Sequence, residues 1–304
     1  MKITKKNKLI MLLISILLLL IAVYVYFKPE SENTLKIEKI LVSNSLQLDS
    51  VFTNKNYCID TIFKDSIVPK IFVENVPYDL KKLNKKQKKE VFIRILLSNI
   101  LKLNEEILKE RDQIVKYINA KTKENGIAAN KIANKYKSDT LNVIELLKRV
   151  DVIPPSLVIA QAITESGWGT SRFSIEGNAL FGHHSTKGDT SKFIKSKKDR
   201  VKHKAFNTVY EAIKAYMCNL NTSKSYKFLR KERAIIRSKN EMLKGKKLTK
   251  HLGRYSERGI LYVNSLNSMI RAQRLEKYDY LKLDSSKYEI YISILKNNKK
   301  ALKK

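Results

Sequence analysis

One carboxylate stands out for where it sits. Leu157–Ile163 is almost wholly apolar and leads through Thr164 into Glu165, with Gly167, Trp168 and Gly169 directly behind. Pro154 and Pro155 suit the first turn of a helix, where a missing N–H costs nothing, and Gly167 suits its left-handed end. Leu157, Gln161 and Glu165 recur at four-residue steps and share one face, flanked by Val158 and Ala162. A face that apolar is shielded from water, and the C-terminal end of a helix opposes negative charge. Both effects favour the protonated carboxyl, which is what a general acid working near neutrality needs. Trp168 would supply an apolar wall or a plate for a sugar ring. The competing reading is a solvent-facing glutamate at a frayed helix end.

Other chemistries are less supported. His183, His184 and His203 fall close together in sequence, but neighbouring histidines do not easily converge on one ion, and no cysteine or carboxylate completes a set. They read as surface or cleft-lining side chains, and no metal or other cofactor is expected. Cys58 and Cys218 are the only cysteines, in neither a CxxC nor a CxxxC spacing. They would either pair outside the cytoplasm or remain as two free thiols in hydrophobic settings.

Several elements must hold Glu165 in place. Phe92, Leu96, Ile100, Leu103, Ile107, Ile114 and Ile118 mark one face of a long helix from Lys85 to about Lys123, ended by Asn125-Gly126. Lys131–Tyr136 and Thr140–Val150 give two shorter helices, the second capped by Ser138 or Asp139. Beyond the central stretch, Lys187-Gly-Asp189 marks a turn, and alternation at Phe193-Ile194 and Val201–Phe206 predicts a small hairpin lobe. Val209–Leu220, Phe228–Lys247 and Tyr262–Leu275 read as helices, and the last ~25 residues as a lysine-rich tail.

The N-terminus carries Lys2, Lys5, Lys6 and Lys8, then the uncharged run Leu9–Phe27, long enough for a ~30 Å hydrocarbon core. The lysines in front place the N-terminus inside and the remainder outside. Aromatic residues at its end, with no small-x-small site, favour an uncleaved anchor over a signal peptide. The 304 residues include 61 Lys and Arg against 29 Asp and Glu, a net charge of +32. Such a charge suits an anionic neighbour such as nucleic acid, a lipid surface or an acidic wall polymer. The lysines are spread through every segment, so no specific nucleic-acid partner is expected.

Longer motifs sharpen this. Pro154–Ala162, Glu165-Ser-Gly-Trp-Gly-Thr-Ser171 and Gly177-Asn-Ala-Leu-Phe-Gly182 together resemble the bacterial peptidoglycan glucosaminidase family, and within it the Bax-like branch. Lys89–Leu108 is similar to that branch's long helix, and Ala212–Thr222 to the segment after its hairpin. Leu252–Ile270, with Tyr255-Ser-Glu-Arg-Gly259 and Tyr262-Val263, is similar to its C-terminal signature. The resemblance spans roughly residues 71–275.

What the resemblance implies is an α+β, mainly α, lysozyme-like domain with a small β-hairpin lobe, here preceded by an N-terminal transmembrane helix. It implies cleavage of the β-1,4 glycosidic bond after N-acetylglucosamine in peptidoglycan glycan strands. Glu165 matches the proton donor, and Tyr255 matches an aromatic bordering the scissile bond. Asn178 and Phe181 match the GN-x-LFG element beneath the cleft and Trp168 the helix-end aromatic, which packs more often than it touches substrate; with Tyr262 of the C-terminal signature they are the expected substrate-binding positions. Glycoside hydrolysis usually needs a second carboxylate, and many members carry one in the hairpin lobe. Leu180–Val209 holds no Glu, only Asp189 and Asp199, so the base is one of these, the substrate's acetamido group, or a water held by Tyr255. The alternatives are a lytic transglycosylase, disfavoured by Gly-Asn-Ala-Leu-Phe-Gly where those enzymes have a Gly-Leu-Met-Gln type, and a non-catalytic peptidoglycan-binding module.

The expected organisation is a cytoplasmic basic tail (1–8), a transmembrane anchor (9–27), a tether or small accessory region (28–70), the glucosaminidase domain with a helical extension (71–280) and a basic tail (281–304). That arrangement puts the enzyme in the inner membrane as a single-pass protein with its domain on the periplasmic side.

Overall fold

The structure, a computed structural model, describes residues 35–184, 192–196 and 201–295 together with Ile14 and Leu17. Packing divides the chain into Met1–Lys36 and Ile37–Lys304. Of the first unit only Ile14, Leu17, Leu35 and Lys36 are described, the first two in helical conformation. The second unit carries the fold.

It begins with β1 (Lys36–Val42), α1 (Ser45–Asn54), α2 (Ile59–Asp65), β2 (Ile67–Val68) and β3 (Ile71–Val73). Next come α3 (Lys85–Asn119), α4 (Lys123–Lys135), α5 (Val143–Arg149), α6 (Pro155–Ser166) and α7 (Arg172–Gly177). The short strands β4 (Phe193–Lys195) and β5 (Lys202–Lys204) precede α8 (Val209–Thr222), α9 (Lys227–Ser238), α10 (Gly245–Leu248) and α11 (Ile260–Ala272). The described chain closes with β6 (Lys282–Leu283) and β7 (Tyr288–Ile294).

The core is built on α3. Val91 to Leu101 is buried on every side, as expected of a helix enclosed by others rather than lying on a surface. α4, α6, α8 and β3 all pack on it. Its buried polar side chains are satisfied: Arg94 donates to the Tyr57 carbonyl and pairs with Asp49, and Asn99 donates to the Ile95 carbonyl. The helix breaks at Ala120–Thr122, not at Asn125-Gly126. Thr122 Oγ1 accepts from the Asn125 amide and so starts α4, leaving that pair inside a helix. α5 likewise starts late: Asn142 is its cap, and Asp139 accepts from the Asn142 amide one turn earlier.

The sheets join distant parts of the chain. One has the order β1-β7-β3, with β3 and β7 parallel in the register Ile71↔Ile290, Phe72↔Tyr291 and Val73↔Ile292. β2 and β6 pair in parallel, and β4 and β5 form the antiparallel hairpin, Ile194 opposite His203. The region drawn as 28–70 thus contributes β1, α1, α2 and β2 to this unit, and the segment drawn as a tail from 281 contributes β6 and β7.

The membrane anchor must be corrected. Among the described residues no helix is long and apolar enough to cross a membrane. α3 is long but charged along much of its length. α6, the most apolar, has 12 residues and spans about 18 Å against a ~30 Å core. The run 9–27 itself lies outside the described residues apart from Ile14 and Leu17. The transmembrane part of the expected fold, the membrane as a partner, and the single-pass inner-membrane location are withdrawn with it.

Candidate active site

α6 delivers Glu165 as the sequence pattern requires. Pro155 occupies its first turn, every residue from Pro155 to Ile163 is buried, and Gly167 ends it in the left-handed conformation (φ 58°, ψ 50°). At its start, Asp279 accepts from the Ser156 amide and hydroxyl and from the Gly245 amide. That carboxylate does the N-capping that proline cannot. Burial pushes the Asp279 carboxyl up to about 6, with the Ser156 and Gly245 donors pulling against it.

Glu165 is half-buried at the other end, held by a one-way chain of hydrogen bonds. The Tyr216 hydroxyl donates to Gln161 Oε1. Gln161 Nε2 donates to the Tyr262 hydroxyl (2.9 Å), which donates to Glu165 Oε1 (2.8 Å). Since Tyr262 supplies Oε1 with a hydrogen, the proton of the neutral carboxyl would sit on Oε2. Oε2 has no hydrogen-bond partner among the described residues and faces Gly182 so closely that a Cβ there would lie 3.3 Å from it. Gly182 has φ +65°, so space and conformation both call for glycine. Burial raises the Glu165 pKa, and the Tyr262 hydrogen bond and the field of Arg258 only partly offset it.

A cleft of about 620 Å³ opens over this carboxyl, lined by Glu165, Phe181, Gly182, Tyr255, Glu257, Arg258, the hairpin-side His184 and His203, and others. Tyr255 is fixed on two sides. Its hydroxyl donates to the Phe181 carbonyl (2.7 Å), and its ring stacks on Tyr262 with centroids 5.6 Å apart and planes 7° off parallel. Phe181 in turn stacks on Tyr216 at 4.1 Å. The GN-x-LFG turn and the C-terminal signature therefore form one aromatic wall beside the acid.

The expected site residues separate into two groups. Glu165, Phe181 and Tyr255 line the cleft, and Tyr262 touches Glu165 from behind. Asn178 does not reach the cleft. In a left-handed conformation, it accepts from the Val76 amide and donates to the Phe206 and Asn207 carbonyls, tying the turn to the segment before α8. Trp168 is not among the residues lining the cleft; its ring is edge-on to Phe92 and under the Lys89 ammonium. Asp189 and Asp199 lie outside the described residues.

Among the histidines, His203 stacks on Phe173 at 4.0 Å, and burial lowers the His183 pKa to about 4. Cys58 and Cys218 are free thiols, both half-buried. Among the described residues no group of three His, Cys, Asp or Glu could hold a metal ion.

Sequence reading missed three contributors. Gln161 had a signal, its four-residue spacing from Glu165. Tyr216 and Arg258 lay inside matched segments, but nothing local tied them to Glu165, because Tyr216 pairs with Gln161 55 residues away and Arg258 lies 93 residues from Glu165 in the chain.

Known proteins match this sequence. The glucosaminidase family model, described as mannosyl-glycoprotein endo-beta-N-acetylglucosaminidase, covers residues 140–275, which holds Glu165, the LFG turn and Tyr255–Tyr262. Protein bax of Escherichia coli (strain K12) is 33% identical over 191 residues, 60% of this chain and 68% of that protein. The chain belongs to the Bax-like glucosaminidase family. Membership makes it a glycoside-hydrolase-type enzyme. Two solved structures are also similar to this family member, each at 20% identity. A peptidoglycan hydrolase from Sphingomonas sp. A1 has a TM-score of 0.33, covering 41% of this chain and 80% of that one. The catalytic domain of the autolysin Auto from Listeria monocytogenes has 0.32, covering 56% and 86%. At those scores neither likeness bears on the fold or the activity.

Proposed function

We propose that this protein is a peptidoglycan hydrolase that cuts the β-1,4 glycosidic bond after N-acetylglucosamine, with Glu165 as general acid. The observation that carries the reading is the state of Glu165. It is a half-buried, cleft-lining carboxyl whose pKa is raised by burial, with Oε1 held by Tyr262 and Oε2 without a hydrogen-bond partner among the described residues. A carboxyl so arranged is biased toward its protonated form and can present that proton to a leaving oxygen. Tyr255 offers an apolar face to a sugar ring, with the buried Phe181 ring packed beneath the cleft floor, while Tyr262, Gln161 and Tyr216 orient the acid without meeting the substrate. Trp168 and Asn178 are positioning residues in this account. The net-positive chain suits an anionic wall polymer.

Purified protein incubated with sacculi is expected to release new reducing ends, and Glu165→Gln to lower that rate by ~10³-fold. Equal release by both proteins, or by neither, contradicts the reading. The second outcome, with sacculus binding retained, would leave a binding module instead.

A further inference from the structure

Resting on that reading, we infer that Glu257 is the second carboxylate of the reaction, the base that activates water, and that the glycosidic bond is therefore cut with inversion. Glu165 and Glu257 are the two carboxylates lining the cleft among the described residues. Their surroundings differ as an acid and a base require. Glu165 is desolvated and hydrogen-bonded through one oxygen. Glu257 is exposed, and no cation or hydrogen-bond donor among the described residues holds it, so its oxygens are free to accept from water.

Its backbone is nevertheless fixed. Two residues earlier, Tyr255 is tied to the Phe181 carbonyl and stacked on Tyr262, the residue that holds Glu165. One residue earlier, the Ser256 carbonyl accepts from the Gly259 amide (3.0 Å) and closes the turn, which Gly259 leaves at φ 54°. One frame thus carries both carboxylates: α11 begins where the Glu257 turn ends and places Tyr262 against the acid.

The reaction balances without any further reactant. Glu165 Oε2 gives its proton to the glycosidic oxygen as the C1–O bond breaks. Water adds to C1 from the opposite face, and its released proton goes to Glu257. Solvent exchange then takes the proton from Glu257 and returns one to Glu165, restoring both groups. One water is consumed, and a β bond yields an α hemiacetal. The substrate's acetamido group acting as nucleophile would instead give a β product. This places the base in the Tyr255–Gly259 signature rather than in the hairpin, which lacks Glu.

The deciding experiment follows fresh product by proton NMR before mutarotation, for the full-length protein and for Glu257→Gln and Glu257→Ala. Expected are an α-anomer first from the unmodified enzyme, and a fall in kcat of ~100-fold or more for both variants with KM within a few-fold. The acidic limb of the pH–rate profile, which reports the base losing its charge, should disappear in both. Azide should restore turnover to Glu257→Ala and yield an α-glycosyl azide, because that anion needs no base. Thermal unfolding should be unchanged for so exposed a side chain. A β-anomer first, or a Glu257→Gln enzyme within three-fold of the original with its acidic limb intact, overturns the assignment and leaves the glycosidase reading standing. An unmodified protein that releases no reducing ends overturns both.

Discussion

Asp151 and Glu165 lie 14 residues apart in sequence, on either side of the start of α6, and the chain treats them in opposite ways. The Asp151 side chain is 2% exposed and meets Arg237 through both carboxylate oxygens, with Arg233 at 3.5 Å. Burial pushes its pKa up, but Arg233, Arg237 and Arg111 outweigh that and hold it below the usual carboxylate range. Glu165 is less buried, yet it has no ion pair among the described residues and its pKa is raised. One carboxylate is held charged by arginines; the other is pushed toward its protonated form by burial. The first can only hold structure, since its charge is permanently engaged; the second can give its proton away. Burial alone does not mark a catalytic acid: Asp279 is also buried, without an ion pair among the described residues and with a raised pKa, and it caps α6.

The comparison breaks first on activity. Glu165→Gln keeps the shape and the hydrogen bond from Tyr262, so sacculus digestion should fall ~10³-fold while folding persists. Asp151→Asn leaves three arginines facing a neutral amide, so it should lower stability by roughly 3–5 kcal/mol in urea unfolding, with activity per folded molecule little changed. If Asp151→Asn lost activity at unchanged stability, the division of roles would be wrong.

The pH dependence of stability should also run in opposite directions. The depressed Asp151 pKa contributes stability that is full above the ~3.9 of the unfolded chain and is lost as pH falls through its lower folded value. The raised Glu165 pKa does the reverse: its contribution is full below the unfolded ~4.3 and is lost as pH rises through the folded value. At neutral pH Glu165→Gln should therefore unfold at the same or a slightly higher denaturant concentration than the original protein. A clear drop would mean that Glu165 is held for stability rather than for chemistry.

A smaller effect sharpens the Glu165 side. The Tyr262 hydrogen bond lowers the Glu165 pKa, so Tyr262→Phe should raise it. The alkaline limb of the pH–rate profile, where the acid loses its proton, should then move to higher pH, with a stability loss of about 1 kcal/mol. A limb that stays put or moves down would place another group in the role of acid.

The two carboxylates were not equally legible in the sequence. The proline pair, the apolar run, the four-residue spacing and Gly167 are all local, and they set α6 and the position of Glu165 correctly. The break after α3 was misplaced because Asn125-Gly126 is a generic stop signal, whereas the operative one is the Thr122 side chain bonding to the Asn125 amide. The Asp151 cluster depends on Arg233 and Arg237, which reach back more than 80 residues from a helix that reads only as basic. The three-stranded sheet was invisible for the same reason. β1, β3 and β7 come from both ends of the described chain, and short alternating segments do not reveal whom they pair with. The relay behind Glu165 was half-legible: Gln161 lies on the right face, but Tyr262 and Tyr216 are fixed by tertiary packing.

The most direct test of a proton-holding Glu165 in a glucosaminidase cleft is mass spectrometry of borohydride-reduced sacculus digests from the original protein and Glu165→Gln. Fragments ending in reduced N-acetylglucosamine, present with the first and absent with the second, are expected. Fragments ending in 1,6-anhydro-muramic acid, or the same fragments from both proteins, would contradict the account.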